Sequence, residues 1–349
     1  MNDFCAIQPE TEDRIDAEIT MMKTPAKLIE SYRAMLRIRR VEEALADRYA
    51  EQQMRCPMHL CIGQEAIAAG VCMALRRDDV VYSNHRAHGH YLAKGGDLNA
   101  MVAELYGRTT GCCGGRGGSM HLIDQRAGFM GSTAIVGGTV PLAVGAAWAA
   151  RLQSKDFLGV AFFGDGCFEE GVIHESLNFA SLHRLPVLFV CENNNFAVYT
   201  PLSERQPARP IHAIAQAHGW HTWTGDGNDV EAVAAIACEA ANRARAGEGP
   251  QFIELETYRW REHCGPNFDE ELNYRSIGEI AAGKQRCPVA RSRAKLIGEC
   301  LATEASLDAI EHGIAVEINE AFQFALSSPL PLGTDAATKV LAVSNSCAN

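Results

Sequence analysis

Aromatic side chains and positive charge are both scarce in this sequence of 349 residues. Aromatic residues make up 7 %, and 32 lysines and arginines stand against 43 aspartates and glutamates, a formal net charge of -11. A nucleic-acid-binding surface needs a concentrated basic patch, and the sequence contains none. With 47 % hydrophobic and 21 % charged residues, the composition indicates a folded globular protein that does not bind nucleic acid.

The sequence also lacks the marks of export and membrane insertion. Its amino-terminal stretch, MNDFCAIQPETEDRID, is acidic and has no apolar run of the kind found in secretory signals. The most apolar segment, residues 140–150, is about half of the roughly 20 residues that a membrane-spanning helix requires. The 13 cysteines are odd in number and none have CxxC spacing, so we expect free thiols in a reducing compartment. These features predict a cytoplasmic protein without a membrane span.

Hydrophobic periodicity predicts one large domain with short ends. Residues 1–24 carry no sustained periodicity and are predicted to form a loosely packed extension. Apolar residues then recur at intervals of three and four over residues 28–52, as in an amphipathic helix. No linker-like composition follows, so we predict a single domain over residues 25–340 and a tail at 341–349.

The middle of the chain has the pattern of a β-α-β unit. Residues 158–163 and 187–191 are short apolar runs typical of buried parallel strands, and residues 169–183 between them are helical in pattern. Further predicted elements are helices at 230–245 and 307–326 and a strand at 251–257. We therefore predict an α/β fold with a parallel sheet flanked by helices. Ligands of such sheets lie beyond the carboxyl ends of the strands, which we expect to find side by side.

Glycine is concentrated between residues 107 and 138, in GRTTGCCGGRGGSM and GFMGSTAIVGG. Glycine permits backbone conformations and close approaches that other residues do not. We predict that this segment forms loops in which the backbone approaches a ligand or another chain closely.

The first predicted strand ends in Gly164-Asp165-Gly166. This is not a dinucleotide fingerprint, because Glu169 stands where GxGxxG has its third glycine. An aspartate here repels a diphosphate unless a divalent cation lies between them. Mg²⁺ prefers oxygen ligands, and Asp165 can share it with Asn194, 29 positions later at the end of the second strand. The asparagines also fit an ordinary turn, but their spacing from Asp165 favours a metal site.

Asp165 and Asn194 belong to a longer segment, GDGCFEEGVIHESLNFASLHRLPVLFVCENNNFAVYT. It resembles the thiamine diphosphate motif of the alpha subunits of thiamine-dependent 2-oxo acid dehydrogenases of the pyruvate, branched-chain and acetoin types. The similarity extends to HLCIGQEA (59–66), HRAHGH (85–90), GRTTGCCGGRGGSMH (107–121), IVGGTVPLAVG (135–145), TYRWREH (257–263) and FALSSPLP (324–331). A second GDG, at residues 225–227, has no asparagine pair at this spacing and is interpreted as a loop turn.

The resemblance implies a thiamine diphosphate-binding fold, its cofactors and its site residues. The cofactors are thiamine diphosphate and Mg²⁺, with the metal held by Asp165, Asn194 and the carbonyl of Phe196. Arg86 and His263 neutralise the diphosphate, a role that suits a guanidinium fork and an imidazole. The other implied cofactor-binding residues are His85, Ala134, Val136, Gly164, Gly166 and Cys167, and the catalytic candidates are His263 and His59.

Some of these assignments have alternatives. Arg86 also fits a surface ion pair or a helix cap, and His59 also fits a hydrogen-bonded histidine of the core. His85 and Phe196 stand where the family usually has tyrosine, and Ala134 stands where it usually has glycine.

The implied function is the alpha subunit of a 2-oxo acid decarboxylase and dehydrogenase component, whose active site forms with a separate beta subunit, usually in a heterotetramer. The segment TYRWREHCGPNFD departs from the family pattern, because Glu262 and Cys264 replace a usual glycine and serine. The acceptor is therefore open: the lipoyl group of an acyltransferase or, in a carboligase, another carbonyl compound. A non-catalytic assembly subunit is a further alternative, which the intact metal ligands argue against. The sequence does not define the 2-oxo acid, the beta partner or the pathway.

Overall fold

The computed structural model describes residue 17 and residues 20–334. The strands are β1 (Val80–Ser83), β2 (Phe129–Ser132), β3 (Gly159–Gly164), β4 (Val187–Asn193), β5 (Phe196–Ala197), β6 (Thr200–Pro201), β7 (His221–Asp226) and β8 (Gln251–Glu256). The α-helices are α1 (Pro25–Arg48), α2 (Glu65–Met73), α3 (His88–Ala93), α4 (Leu98–Leu105), α5 (Val140–Leu152), α6 (Gly171–Leu182), α7 (Leu202–Arg205), α8 (His212–Ala217), α9 (Val230–Arg245), α10 (Ile277–Gln285), α11 (Pro288–Gly298) and α12 (Glu304–Ser327). Residues 1–16, 18 and 19 of the predicted extension and the whole predicted tail at 341–349 lie outside the described residues.

Six strands form one parallel sheet in the order β2-β1-β3-β4-β8-β7. Alternate residues of the central strands enter two hydrophobic cores: Phe162 and Val190 belong to one, Phe163 and Cys191 to the other. Since successive side chains of a strand point to opposite faces, the cores lie on opposite sides of the sheet. Helices α1, α2, α4, α9 and α12 contribute to the first core, and α5, α6 and α8 to the second. The predicted α/β fold with a helix-flanked parallel sheet is confirmed.

Of the eight strands in the described residues, β1, β2, β5, β6 and β7 were not predicted. β1 has only four residues, and β7 has the sequence HTWTGD, which contains no aliphatic residue. The interpretation of the second GDG as a loop turn is wrong for Gly225 and Asp226, because β7 pairs with β8 in register up to Asp226. The segment at 107–138 is likewise not all loop: it contains a single 3₁₀ turn, Gly118–Met120, and strand β2.

The carboxyl ends of β3 and β4 lie side by side, as expected. Gly164 of β3 pairs with Glu192 of β4, so the turn that begins at Asp165 follows β3 next to the end of β4. The strand order reverses on the other side of β3, between β1 and β3, because β1 has β2 on one side and β3 on the other. Such a switch point leaves a crevice beyond the strand ends in which α/β proteins bind ligands.

Within residues 20–334, no helix combines the length and the apolar character needed to cross a membrane. The cysteines in the described part of the chain are all free thiols, as their spacing predicts.

Candidate active site

A cavity of about 400 Å³ lies beyond the ends of β1, β3 and β4. Every residue that the sequence analysis names for the site lines it: His59, His85, Arg86, Ala134, Val136, Gly164, Asp165, Gly166, Cys167, Asn194, Phe196 and His263. They come from the loop before α2 and from the segments that follow β1, β2, β3, β4 and β8. The fold thus brings distant motifs together, while the role of each residue stays a prediction.

Oxygen donors meet at the ends of β3 and β4. Asp165 is 1 % exposed and opens the 3₁₀ turn that follows β3. The side-chain oxygen of Asn194 accepts a hydrogen bond from the backbone N–H of Phe196 at 3.1 Å. Its amide nitrogen donates to Oε1 of Gln64 at 3.0 Å, which fixes the rotation of the amide group. A carboxylate and an oriented amide oxygen are ligands that suit a hard divalent cation.

The two asparagines have different partners. Asn193 donates through Nδ2 to Glu254 at 2.9 Å, and its side-chain oxygen accepts the backbone N–H of Asn195 at 3.1 Å. Asn195 has a left-handed φ of 65°. Asn193 therefore shapes the turn, and Asn194 is the asparagine that faces the cavity.

The Asp165 carboxylate forms an ion pair with Arg205, which also pairs with Glu169. The Arg205 side chain is 9 % exposed, so this pair is largely shielded from water. Burial raises the pKa of Asp165, and the hydrogen bond and charge of Arg205 oppose that rise. A cation bound at Asp165 would therefore share the carboxylate with Arg205.

Arg86 is a buried cation held by neutral acceptors. It is 5 % exposed, and its guanidinium donates to the carbonyls of Leu60 and His263, both at 2.9 Å. Burial, with the nearby charge of Arg259, lowers the pKa of Arg86 to about 9, so it stays charged at neutral pH. No carboxylate among the described residues forms an ion pair with it, which excludes the surface ion pair considered above. Because a buried guanidinium without an ion-paired carboxylate is costly, the site suits an anionic ligand.

Three imidazoles surround Arg86. The ring centres are 4.7 Å apart for His59 and His85, 5.0 Å for His59 and His263, and 5.4 Å for His85 and His263. Burial, followed by the charge of Arg86, lowers the pKa of His59 to about 4, that of His85 to about 2 and that of His263 to about 3. All three are therefore neutral at pH 7. Nδ1 of His59 is buried without a hydrogen-bond partner in the described structure.

The glycine-rich segment closes on a carboxylate of the protein itself. Glu104, near the end of α4, is 1 % exposed. Its oxygens accept hydrogen bonds from the backbone N–H groups of Cys113 at 2.7 Å, Gly115 at 2.8 Å, Gly117 at 2.6 Å and Gly118 at 3.2 Å. The prediction that this backbone approaches a ligand or another chain is wrong for residues 113–118, because the group that they approach is Glu104 of the same chain. The same loop carries Met120 to the wall of the cavity.

The loop after β8, which carries His263, is braced by its own residues. The Glu262 carboxylate accepts the backbone N–H of Asn267 at 2.8 Å. The Arg261 guanidinium lies 3.9 Å from the ring centre of Phe268. The unusual Glu262 thus stabilises a turn, and the equally unusual Cys264 is exposed.

Several polar residues of this site were not predicted from the sequence, and three of them have a clear place in it. Gln64 and Glu192 line the cavity, and Arg205 pairs with Asp165. Gln64 lies within HLCIGQEA, and Glu192 directly precedes the asparagines, so both were inside quoted motifs. No spacing signal points to Arg205, because it reaches Asp165 only through the β5-β6 hairpin and the short helix α7.

Comparison with known proteins identifies the family to which these residues belong. Residues 33–332 match the family described as dehydrogenase E1 component. The chain belongs to this family. The alpha subunit of the acetoin:2,6-dichlorophenolindophenol oxidoreductase of Bacillus subtilis (strain 168) is 37 % identical over 318 residues, which cover 91 % of this chain and 94 % of that protein.

Pyruvate dehydrogenase E1 alpha subunits are similarly related to the chain. The subunit of Rhizobium meliloti (strain 1021) is 36 % identical over 314 residues, 90 % of this chain and 89 % of the relative. The chloroplastic alpha-3 subunit of Arabidopsis thaliana is 38 % identical over 318 residues, 89 % of this chain and 74 % of the relative. These findings confirm the resemblance to E1 alpha subunits and the expectation of an oxidoreductase of this type.

Proposed function

We propose that the chain is the alpha subunit of a thiamine diphosphate- and Mg²⁺-dependent 2-oxo acid dehydrogenase of the pyruvate or acetoin type. Membership of the dehydrogenase E1 family implies thiamine diphosphate. One observation carries the proposal: a single cavity combines the buried Arg86, which forms no ion pair with a carboxylate of the described residues, with the oxygen donors of Asp165 and Asn194. This combination suits a diphosphate whose charge is shared between a guanidinium and a divalent cation.

The residues that line the cavity have different roles in this proposal. Asp165, Asn194 and the carbonyl of Phe196 hold Mg²⁺, with Gln64 orienting the Asn194 amide through the 3.0 Å hydrogen bond. Arg86 and His263 bind oxygens of the diphosphate. The other implied cofactor-binding residues, His85, Ala134, Val136, Gly164, Gly166 and Cys167, also line the cavity and enclose the cofactor. The buried Nδ1 of His59, which has no hydrogen-bond partner among the described residues, gains one.

The chemistry divides between the cofactor and the chain. When bound, thiamine diphosphate supplies the nucleophilic carbon and the electron sink for decarboxylating a 2-oxo acid. His59 and His263, neutral because burial lowers the pKa of the first to about 4 and of the second to about 3, orient the substrate and exchange a proton at a ring nitrogen. Arg86 keeps its positive charge beside them and favours anionic groups.

A second subunit completes the site in this proposal. Family membership as an alpha subunit implies a beta partner, which we propose forms a heterotetramer with this chain in the cytoplasm. Ile135 and Val136 at the cavity are 72 % and 45 % exposed, and Leu142 nearby in sequence is 54 % exposed. Exposed apolar side chains beside a polar site support a covering protein surface.

The acceptor is the lipoyl group of an acyltransferase in this proposal, with carboligation to another carbonyl compound as the second candidate. The loop after β8 is the reason for keeping carboligation as a candidate. Glu262, which replaces a usual glycine, accepts the backbone N–H of Asn267 at 2.8 Å directly beside His263. Reduction of a free lipoyl domain by the assembled enzyme supports the lipoyl group as acceptor. Acyl transfer to an aldehyde, without lipoyl reduction, supports carboligation.

The two GDG aspartates provide a matched test. The complex is isolated from its source with Mg²⁺ and thiamine diphosphate, its chains are identified by native mass spectrometry, and variants are then made together with the identified partner. Asp165→Asn removes a metal ligand, and we expect Mg²⁺-dependent cofactor binding to weaken by about 100-fold. Asp226→Asn is the control, since Asp226 pairs with Arg286 and Arg291 outside this cavity. Equal cofactor binding by both variants would refute the metal assignment.

A further inference from the structure

The histidines of the cavity form a compact set of nitrogen donors. One nitrogen each of His59, His85 and His263 lies within 4.8 Å of the others. Three separate segments supply them: the loop before α2, the segment that follows β1 and the loop after β8. Imidazole is a ligand for Zn²⁺, Co²⁺, Ni²⁺ and Cu²⁺, whereas Mg²⁺ prefers oxygen. The cluster therefore differs in chemistry from the oxygen donors of Asp165 and Asn194.

We propose that His59, His85 and His263 bind a transition-metal ion of the Zn²⁺ class when the cavity holds no cofactor. Three imidazoles with an open fourth position are a recognised arrangement for Zn²⁺. The ion binds between the rings, and small ring rotations bring the nitrogens from within 4.8 Å to the closer spacing that metal bonds of about 2.0 to 2.1 Å require. This site goes beyond the proposed function, because neither the cofactor nor its Mg²⁺ is part of it.

His59 also has a ring nitrogen without a hydrogen-bond partner in the described residues. The residue is 7 % exposed, and this nitrogen, Nδ1, is buried. A buried polar nitrogen without a partner is costly, and a metal bond removes that cost. The three rings also need no deprotonation at pH 7, since burial already holds the pKa of His59, His85 and His263 well below neutral.

The neighbouring arginines set the fourth ligand. Arg86 donates to Nδ1 of His263 at 3.0 Å and to its carbonyl at 2.9 Å. It can release the ring nitrogen and keep the carbonyls of His263 and Leu60 as acceptors. Burial first, and then the charges of Arg86 and Arg259, lower the pKa of His263, and these charges oppose the metal ion in the same way. The site therefore requires an anion such as chloride or hydroxide to complete the coordination and lie towards Arg86.

Metal and cofactor exclude each other, because both occupy the same cavity of about 400 Å³. This second part of the inference rests on the proposed function. A chain that has bound Zn²⁺ should therefore take up thiamine diphosphate only as fast as the metal leaves. The metal binding itself is measured without cofactor, so it can fail or succeed independently of the proposed function.

The test uses the full-length chain without a histidine tag and Co²⁺ as a coloured substitute for Zn²⁺. We expect a visible absorption band of four-coordinate Co²⁺ at one equivalent, displaced by Zn²⁺. His85→Tyr keeps a ring and removes one ligand, and it should weaken Co²⁺ binding by at least about tenfold. His312→Tyr, at an exposed position of α12, is the control for surface histidines and should bind as the wild type does.

Each outcome decides the proposal. A band that is lost in His85→Tyr and retained in His312→Tyr supports the site, provided that both variants melt within a few degrees of the wild type. Absence of the band in the wild type overturns the proposal, as does equal Co²⁺ affinity in the wild type and His85→Tyr. If Co²⁺ binds and Mg²⁺ with thiamine diphosphate fails to displace it, only the mutual exclusion is wrong.

Discussion

Two glycine-rich segments of this chain differ in what they surround: one surrounds a side chain of the protein, and the other borders the cavity. The loop between Gly107 and Gly118 wraps around Glu104, whose carboxylate accepts backbone hydrogen bonds from Cys113, Gly115, Gly117 and Gly118. The turn at Gly164–Gly166 instead borders the cavity, and its carboxylate, on Asp165, has Arg205 as an ion-pair partner. One segment binds an anion of the protein, and the other lines a space that suits an anion from outside.

The difference shows what a high glycine content does and does not indicate. In both segments glycine allows the backbone to come close to a charged group. The density of glycine does not reveal whether that group is internal. The internal loop has a buried carboxylate that meets its N–H groups, whereas the cavity has Arg86 without a carboxylate partner among the described residues. The charge left uncompensated distinguishes the binding site from the structural loop.

The largest expected effect comes from breaking the internal segment. Glu104→Ala removes the acceptor of all these backbone N–H groups at once, in a residue that is 1 % exposed. We expect the free energy of unfolding to fall by on the order of 3–5 kcal/mol, as for loss of one partner in a buried charged contact. Chemical denaturation of the cofactor-free chain measures this.

A conservative variant and a control variant show whether the loss of stability comes from the Glu104 carboxylate. Glu104→Gln keeps the shape but offers only one acceptor oxygen, so it should lie between the wild type and Glu104→Ala. Glu320→Ala, at an exposed position of α12, should change stability by less than about 0.5 kcal/mol. If Glu104→Ala is as stable as Glu320→Ala, the loop does not depend on this carboxylate.

A smaller effect is expected at the cavity. Arg205→Met leaves the buried Asp165 carboxylate without its ion-pair partner, and we expect a loss of about 3 kcal/mol in the cofactor-free chain. Asp165→Asn removes the charge that needs the partner, so the double variant should recover part of this loss. A double-variant cycle by thermal or chemical unfolding measures the coupling. Strictly additive effects would show that Arg205 acts through Glu169 instead.

Part of the fold was predictable because burial leaves a strong pattern in the sequence. The central strands β3 and β4 are apolar runs that are buried on both faces, and their parallel pairing follows from the helix between them. Strand β7 was not predictable, since HTWTGD owes its pairing to the neighbouring β8 rather than to its own composition. Tertiary context decides the structure of such edge strands.

The site residues that belong to sequence motifs were predictable, and those that reach the site only through tertiary contacts were not. The spacing of Asp165 and Asn194 follows from strand and helix lengths, so both were found at the strand ends. The contact of Arg205 with Asp165 depends on how the hairpin folds back. The contact of Glu104 with the glycine loop depends in the same way on how α4 and that loop pack, and no local pattern records either contact.

The smallest expected effect separates close approach from backbone conformation within the internal loop. Gly114 and Gly115 are both left-handed, with φ of 68° and 77°. A Cβ on Gly115 would lie 2.6 Å from the carbonyl carbon of Gly107 and 2.7 Å from the carbonyl oxygen of Arg108, whereas a Cβ on Gly114 would meet nothing within 4 Å. Both alanine variants pay the left-handed penalty of roughly 1–2 kcal/mol. Only Gly115→Ala adds a steric clash with backbone, of about 1–3 kcal/mol.

Gly115→Ala should therefore unfold at lower denaturant concentration than Gly114→Ala, although the two positions are adjacent and have nearly the same backbone conformation. The difference in stability between the two variants measures how tightly Gly115 packs against the backbone of Gly107 and Arg108 in the loop around Glu104. Equal stabilities would mean that the loop relaxes around the added methyl group, and that the N–H groups reach Glu104 without tight packing. Because Gly115 N–H donates to Glu104 at 2.8 Å, a shift at this residue should also weaken that hydrogen bond. Combining Gly115→Ala with Glu104→Ala should then cost less than the sum of the two single changes.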